Sequence, residues 1–181
     1  IRAGLPVRST EGFSPHLRIS LPLPRPVGVA SNAERVVIEI TQPLAPSRVR
    51  TLLAPHLPEG LTMLQAGTLE PHDRCMPRQA TYRVALVAED PQDLSARAER
   101  FMRFAPVFHD RFVHKQKKYV RMDLRPYLES IEVADHEFTF TMHMTGGGAV
   151  KPVEVCIALG LSDGPVNHRI LRTDVEWRQR P

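Results

Sequence analysis

The sequence predicts an α+β fold, and three observations carry that expectation. From residue 81 to residue 181, strand and helix signals follow the order β-α-β-β-α-β, with an insertion in the second strand region. Before residue 71 the order is (α)-β-β-α-β, which becomes the same once a strand and the body of the first helix are supplied. Residues 71–78 between them are polar and form the best internal boundary. The order matches a ferredoxin-like split βαβ unit. The expected architecture is therefore two ferredoxin-like units in tandem. The first covers residues 1–70 and is truncated at its N-terminus, residues 71–80 link, and residues 81–181 form the second. No sequence repeat accompanies the match, so the duplication is topological.

Ile1-Arg2-Ala3-Gly4 reads as a helix tail closed by a glycine and followed by Pro6. A tail needs a helix before it, so the chain is expected to lack its natural start. Residues 9–14 are polar and turn-like. The chain holds 17 prolines, many between Leu5 and Pro26, so residues 18–29 should be extended chain of edge type. Residues 35–40 are β-branched and apolar, a strand signal. Residues 46–57 place Val49, Leu52, Leu53 and Leu57 on one helical face, with Ser47 near the start and Pro58-Glu59-Gly60 after the end. Residues 61–69 form the next expected strand.

In the second half, residues 81–87 read as a strand. Asp90 is a good N-cap, Pro91 suits the first helical position, and Asp93 makes the first turn acidic. Leu94, Ala98, Phe101 and Met102 then line one face. Residues 106–113 and 118–124 are extended candidates, and residues 127–133 continue the sheet. Residues 136–144 give the clearest strand: Phe138, Phe140, Met142 and Met144 alternate with Glu137, Thr139, Thr141 and His143. One face of it should be buried and the other wet. Residues 152–161 are a short helix and residues 168–177 the last strand.

Composition limits the function classes. Apolar residues make up 42% and charged residues 24%, ordinary for a folded soluble chain. The net charge of +4 permits an RNA partner without demanding one. Two cysteines give no disulfide framework, and Cys156 sits among apolar neighbours, which suits a reducing, cytoplasmic compartment. No apolar run approaches a membrane span, and no signal peptide is visible.

Four features carry candidate chemistry. In Glu11-Gly12-Phe13-Ser14-Pro15-His16, His16 is a candidate proton donor or base contact, with Glu11 as its orienting carboxylate. The same loop also reads as a structural connection in which Gly12 makes the turn, Phe13 plugs the core and His16 bonds to backbone. The basic stretch Arg111, His114, Lys115, Lys117, Lys118, Arg121 and Arg125 is interrupted only by Asp110 and Asp123, and Phe112, Tyr119 and Tyr127 interleave. Its cations suit phosphates and Tyr119 suits base stacking. On one strand Lys115, Lys117, Tyr119 and Arg121 would share a face. Alternatively the lysines protect a solvated sheet edge. Gly146-Gly147-Gly148-Ala149-Val150-Lys151-Pro152 precedes a helix and reads either as an anion-binding turn with Lys151 adding charge or as a connection, without P-loop spacing. His72-Asp73-Arg74-Cys75 is at most half a zinc site. No cysteine cluster suits an iron–sulfur centre, and no nucleophile–base pair is visible.

The segments Arg2-Ala3-Gly4-Leu5-Pro6, Glu11-Gly12-Phe13-Ser14-Pro15-His16 and Arg18-Ile19-Ser20 occur in order with Pro24, Val27-Gly28-Val29, Ser31, Glu34 and Leu57-Pro58-Glu59-Gly60-Leu61. Together they resemble an uncharacterised bacterial family, domain of unknown function 2344, whose members are called radical-SAM-linked proteins. Val150-Lys151-Pro152 and Leu171-Arg172-Thr173 resemble its later segments. Ser14, Leu17 and Lys151 depart from the usual Asn, Pro and Arg, and the family's leading strand and helix are absent. The resemblance implies an accessory, substrate-binding unit acting with a radical-SAM enzyme, fused or separate. The S-adenosylmethionine and iron–sulfur cluster would belong to that partner, and this chain would hold no cofactor. Structured RNA (tRNA or rRNA) is the expected substrate, contacted by Arg18, Lys115, Lys117, Lys118, Tyr119, Arg121, Arg125 and Lys151. The alternatives are an enzyme half-site using Glu11 and His16, and a structural docking module.

Overall fold

A computed structural model of the chain describes residues 3–70, 75–144, 150–161 and 166–178. It divides into two units. The described residues of the first are 3–22, 35–70 and 75; those of the second are 23–34, 76–144, 150–161 and 166–178.

The proline-rich front end yields only short strands: β1 (Ile19–Ser20), β2 (Ala30–Ser31) and β3 (Val37–Ile38). Proline lacks the N–H that a ladder needs, so pairing here breaks up into pieces. In the first unit β1 and β3 pair antiparallel, with bridges Val7↔Ile40 and Ser9↔Leu17 beside them. Helix α1 (Pro46–Leu53) follows, continued by a 3-10 turn over Ala54–His56. Its N-cap is Ala45, with no side-chain cap, and Pro46 opens it. Val49, Leu52, Leu53 and Leu57 are half-buried, as the helical periodicity predicts. Residues 61–69 form no strand, contrary to expectation. Their apolar side chains find no neighbouring ladder, and Leu61, Leu64 and Leu69 stay exposed.

The second unit contains β4 (Pro77–Ala85), α2 (Pro91–Arg103), β5 (Phe108–Val113), β6 (Lys118–Asp123), β7 (Leu128–Val133), β8 (Glu137–His143), α3 (Pro152–Ala158) and β9 (Ile170–Trp177). Asp90 caps α2 as its sequence predicts, accepting the Gln92 N–H at 2.9 Å. Five strands form one sheet in the order β2-β9-β4-β8-β7. All neighbours are antiparallel except β2 and β9, which run parallel. β5 and β6 make a separate two-stranded hairpin between α2 and β7.

The sheet register places Ala80, Tyr82 and Val84 opposite Met142, Phe140 and Phe138. These six are buried and face α2 and α3, whose Leu94, Ala98, Phe101, Val155 and Cys156 complete the core. Tyr82 stacks on Phe140 at 5.4 Å, and Phe138 on Phe140 at 5.8 Å. The other face of β4 and β8 presents Gln79, Thr81, Arg83, Thr139, Thr141 and His143, and no Phe, Tyr or Trp side chain. Among the described residues no helix is long and apolar enough to cross a membrane.

Residues 23–34 are tied to the sheet of the second unit by a buried arginine. Arg172 on β9 is only 1% exposed and donates to Ser31 Oγ (3.1 Å), the Leu23 carbonyl (2.9 Å) and Glu34 Oε2 (2.8 Å). A fully buried guanidinium is tolerable only when paired and hydrogen-bonded in this way. Arg169 makes a two-pronged pair, to both oxygens of Glu89 at 3.0 and 2.9 Å.

Candidate nucleic-acid interface

The hairpin register sorts the basic stretch into two faces. Phe108 lies opposite Asp123, Asp110 opposite Arg121, and Phe112 opposite Tyr119. Paired residues share a face of a strand pair. These six side chains therefore form one row, and His109, Arg111, Val113, Lys118, Val120 and Met122 form the other.

Apart from Lys118, which is exposed at the hairpin's end, the second row turns inward, where Glu154 anchors it. Glu154 lies at the third position of α3 and is only 4% exposed. Its oxygens accept Arg111 Nε at 2.6 Å and Nη2 at 2.5 Å, and also the Lys151 main-chain N–H at 2.8 Å. His109 Nε2 stands 4.0 Å away. The Glu154 carboxylate holds the Arg111 guanidinium above its ordinary pKa. The pair joins the hairpin to the start of α3, and both donor and acceptor are desolvated enough for it to matter.

The first row faces solvent. Tyr119 is 71% exposed, Phe108 53% and Phe112 41%. Phe112 and Tyr119 lie 5.1 Å apart, tilted, and His114 meets the Phe112 ring edge-on at 4.9 Å. Arg121 stands over Phe108 at 5.1 Å and pairs with Asp110 at 3.3 Å. Three large aromatic side chains left in water are costly to keep there unless something covers them. Aromatic faces with interleaved cations are the surfaces on which unpaired bases stack.

The structure places each remaining candidate as follows. Lys115 lies in the 3-10 turn His114–Gln116, and Lys117 takes the left-handed conformation (φ 49) just before β6. They therefore cap the hairpin and do not share the strand face with Tyr119 and Arg121. Lys115, Lys117 and Lys118 are exposed, and among the described residues none pairs with a carboxylate. Arg125 is half-buried and donates to the Met102 and Leu128 carbonyls, both at 2.9 Å. Tyr127 packs against the core and not beside Tyr119. Lys151 is exposed at the start of α3. Arg18 belongs to the first unit, where it meets Glu39 at 3.5 Å.

The loop after Thr10 is closed by two bonds: the Thr10 N–H to the His16 carbonyl (2.8 Å) and the His16 N–H to Thr10 Oγ1 (2.9 Å). Gly12 supplies a φ of +125° at its tip. Phe13 projects fully into solvent, not into a core. Glu11 and His16 are both exposed, and among the described residues no hydrogen bond joins their side chains. Cys75 accepts from Arg35 Nη1 at 3.3 Å. Gly146, Gly147, Gly148 and Ala149, like His72, Asp73 and Arg74, lie outside the described residues.

Phe108 and the Arg111–Glu154 anchor join the candidate residues only in the folded chain. Alternation along residues 108–112 carries a signal for Phe108, because Phe112 two pairs later faces the same way. Nothing local announces that Glu154 meets Arg111.

A family model described as "Uncharacterized protein conserved in bacteria (DUF2344)" matches residues 1–152. No curated protein and no solved structure matches the chain.

Proposed function

We propose that this chain, which belongs to that uncharacterised bacterial family, is an accessory substrate-binding protein that contacts RNA for a radical-SAM enzyme in the cytoplasm. The observation that carries the RNA reading is the outward face of the β5–β6 hairpin: Phe108, Phe112, Tyr119 and Arg121, capped by Lys115, Lys117 and Lys118. Rings offer stacking to unpaired bases and the lysines offer charge to the phosphates between them. The radical-SAM partner rests on the sequence resemblance alone, and its S-adenosylmethionine and iron–sulfur cluster would be the partner's. The second unit supports a ferredoxin-like reading, since β9-β4-β8-β7 is the strand order of a split βαβ pair. In that reading the aromatic platform sits on the inserted hairpin and not on the open sheet face.

The test is binding of tRNA, an rRNA fragment and a single-stranded oligoribonucleotide at two salt concentrations. Loss of one stacked base costs about 1–3 kcal/mol, so Tyr119→Ala should weaken the oligonucleotide roughly 5- to 150-fold. Replacing Lys115, Lys117 and Lys118 by Ala should lower the logarithmic salt slope by about 0.7 for each phosphate that is no longer neutralised. Binding that ignores salt and survives Phe112→Ala/Tyr119→Ala would refute the reading.

A docking module is the second reading, favoured by one feature. Phe13 stands free at the tip of its loop, with Leu17 and Ile19 also exposed on the same arm. The two readings are compatible if the first unit holds the enzyme and the second holds the substrate.

A further inference from the structure

An open groove of about 710 Å³ lies beside the hairpin, within the second unit. Its walls are the C-terminal half of α2, the segment from Phe104 to Phe108, and the turn that ends α3. That volume falls in the range of small-molecule sites, roughly 300–1,000 Å³. Aromatic rings and guanidinium groups occur together at this groove, Arg103 and Arg121 lying beside its lining. Phe104 and Phe108 are both more than half exposed and line it. Arg100 lines it too, and each ring carries a guanidinium, Arg103 over Phe104 at 5.5 Å and Arg121 over Phe108 at 5.1 Å.

The cations are unevenly committed. Arg97 is held in place, donating to the Leu159 carbonyl at 2.7 Å and to Asp93 at 2.8 Å. Arg121 has Asp110. Among the described residues no carboxylate pairs with Arg100 or Arg103. An apolar ligand would cover the rings and leave these charges unmet. A bare phosphate would meet the charges and leave the rings wet. A nucleotide uses both, its base against a phenyl face and its phosphate on a guanidinium fork.

Phe108 belongs to both surfaces. It lines the groove and also stands in the outward row with Phe112 and Tyr119. We propose that the groove is a nucleotide site that receives one extruded nucleotide of the strand whose neighbours stack on Phe112 and Tyr119. The strand part rests on the RNA reading above, whereas the affinity of the groove for a free nucleotide does not. Extrusion costs least from unpaired RNA, so the favoured substrate is a loop or bulge and not a continuous duplex.

The experiment is calorimetric titration of the full chain with AMP, UMP, adenosine and inorganic phosphate. AMP and UMP should bind at least tenfold tighter than adenosine or phosphate. Arg100→Glu should weaken AMP at least tenfold and Phe104→Ala about fivefold or more. Both residues are exposed, so circular dichroism should show native folding. Tyr119→Ala should leave AMP binding unchanged while weakening an oligoribonucleotide. AMP no tighter than phosphate, or AMP binding indifferent to Arg100→Glu, overturns the site even if RNA binds normally. AMP binding that obeys these variants in a chain without affinity for RNA keeps the site and discards the RNA reading.

Discussion

Replacing Glu154 by Gln should loosen the second unit without touching its outward face. Gln keeps the volume and one acceptor but removes the charge opposite Arg111. Arg111 is 20% and Glu154 5% exposed at the side chain, so the pair is largely desolvated. The guanidinium cannot neutralise itself, and the new amide would turn a donor toward its donors. Breaking a buried pair from one side costs about 3–5 kcal/mol, and the remaining exposure of Arg111 argues for the lower end. With a urea slope of about 1–3 kcal/mol/M, the unfolding midpoint should fall by roughly 1–3 M. The only tryptophan, Trp177, lies on β9 in the same unit and supplies the fluorescence readout. Arg111→Met with Glu154→Leu removes both charges together. That double variant should lose less than the sum of the single changes, since no charge is left unpaired. A midpoint shift under about 0.3 M for Glu154→Gln, or strictly additive single costs, would falsify the anchor.

Other outcomes follow from the same physics. Arg169 holds the Glu89 carboxyl down to about 2 from its ordinary 4.5. A depressed pKa contributes stability that is full above the unfolded value and is lost as pH falls through the folded one. Urea midpoints should therefore drop as pH goes from about 5 toward 2, and Glu89→Gln should blunt that drop. Burial pushes the Cys156 thiol up to about 12, so at pH 8 iodoacetamide should label Cys75 alone in the native protein and both cysteines in urea, as read by mass spectrometry. Phe13→Asp should change stability by less than about 0.5 kcal/mol, because the ring touches only water. The same variant should abolish co-purification with a radical-SAM enzyme in the docking reading, and retained co-purification would reject it.

Local signals were legible from the chain. The Asp90 cap and Pro91 start of α2, the Phe138–Phe140–Met142 alternation of β8, and the helical face of α1 all depend on neighbours within a turn or a strand. Proline density also predicted turns and extended chain at the front end, whereas the strand expected over residues 35–40 is cut down to Val37–Ile38. The expected strand at residues 61–69 failed because apolar content only makes a strand possible, whereas a ladder needs a partner. The candidate site was half legible. Its cations and Tyr119 could be named from sequence, but the grouping of Lys115 and Lys117 with Tyr119 could not survive a turn placed between them.

What the sequence determined by itself is an α+β chain with a capped helix, a two-faced strand and an aromatic, basic segment near residue 119. What only the tertiary structure decided is which of those groups stay free. Arg111, Arg125 and Arg172 look the same in sequence as Arg100, with which no carboxylate pairs among the described residues. Long-range contacts assign the first three to Glu154, to main-chain carbonyls, and to Ser31 with Glu34. A guanidinium's partner lies wherever the fold brings an acceptor, and that distance along the chain, 43 residues for Arg111 and 138 for Arg172, leaves no local trace.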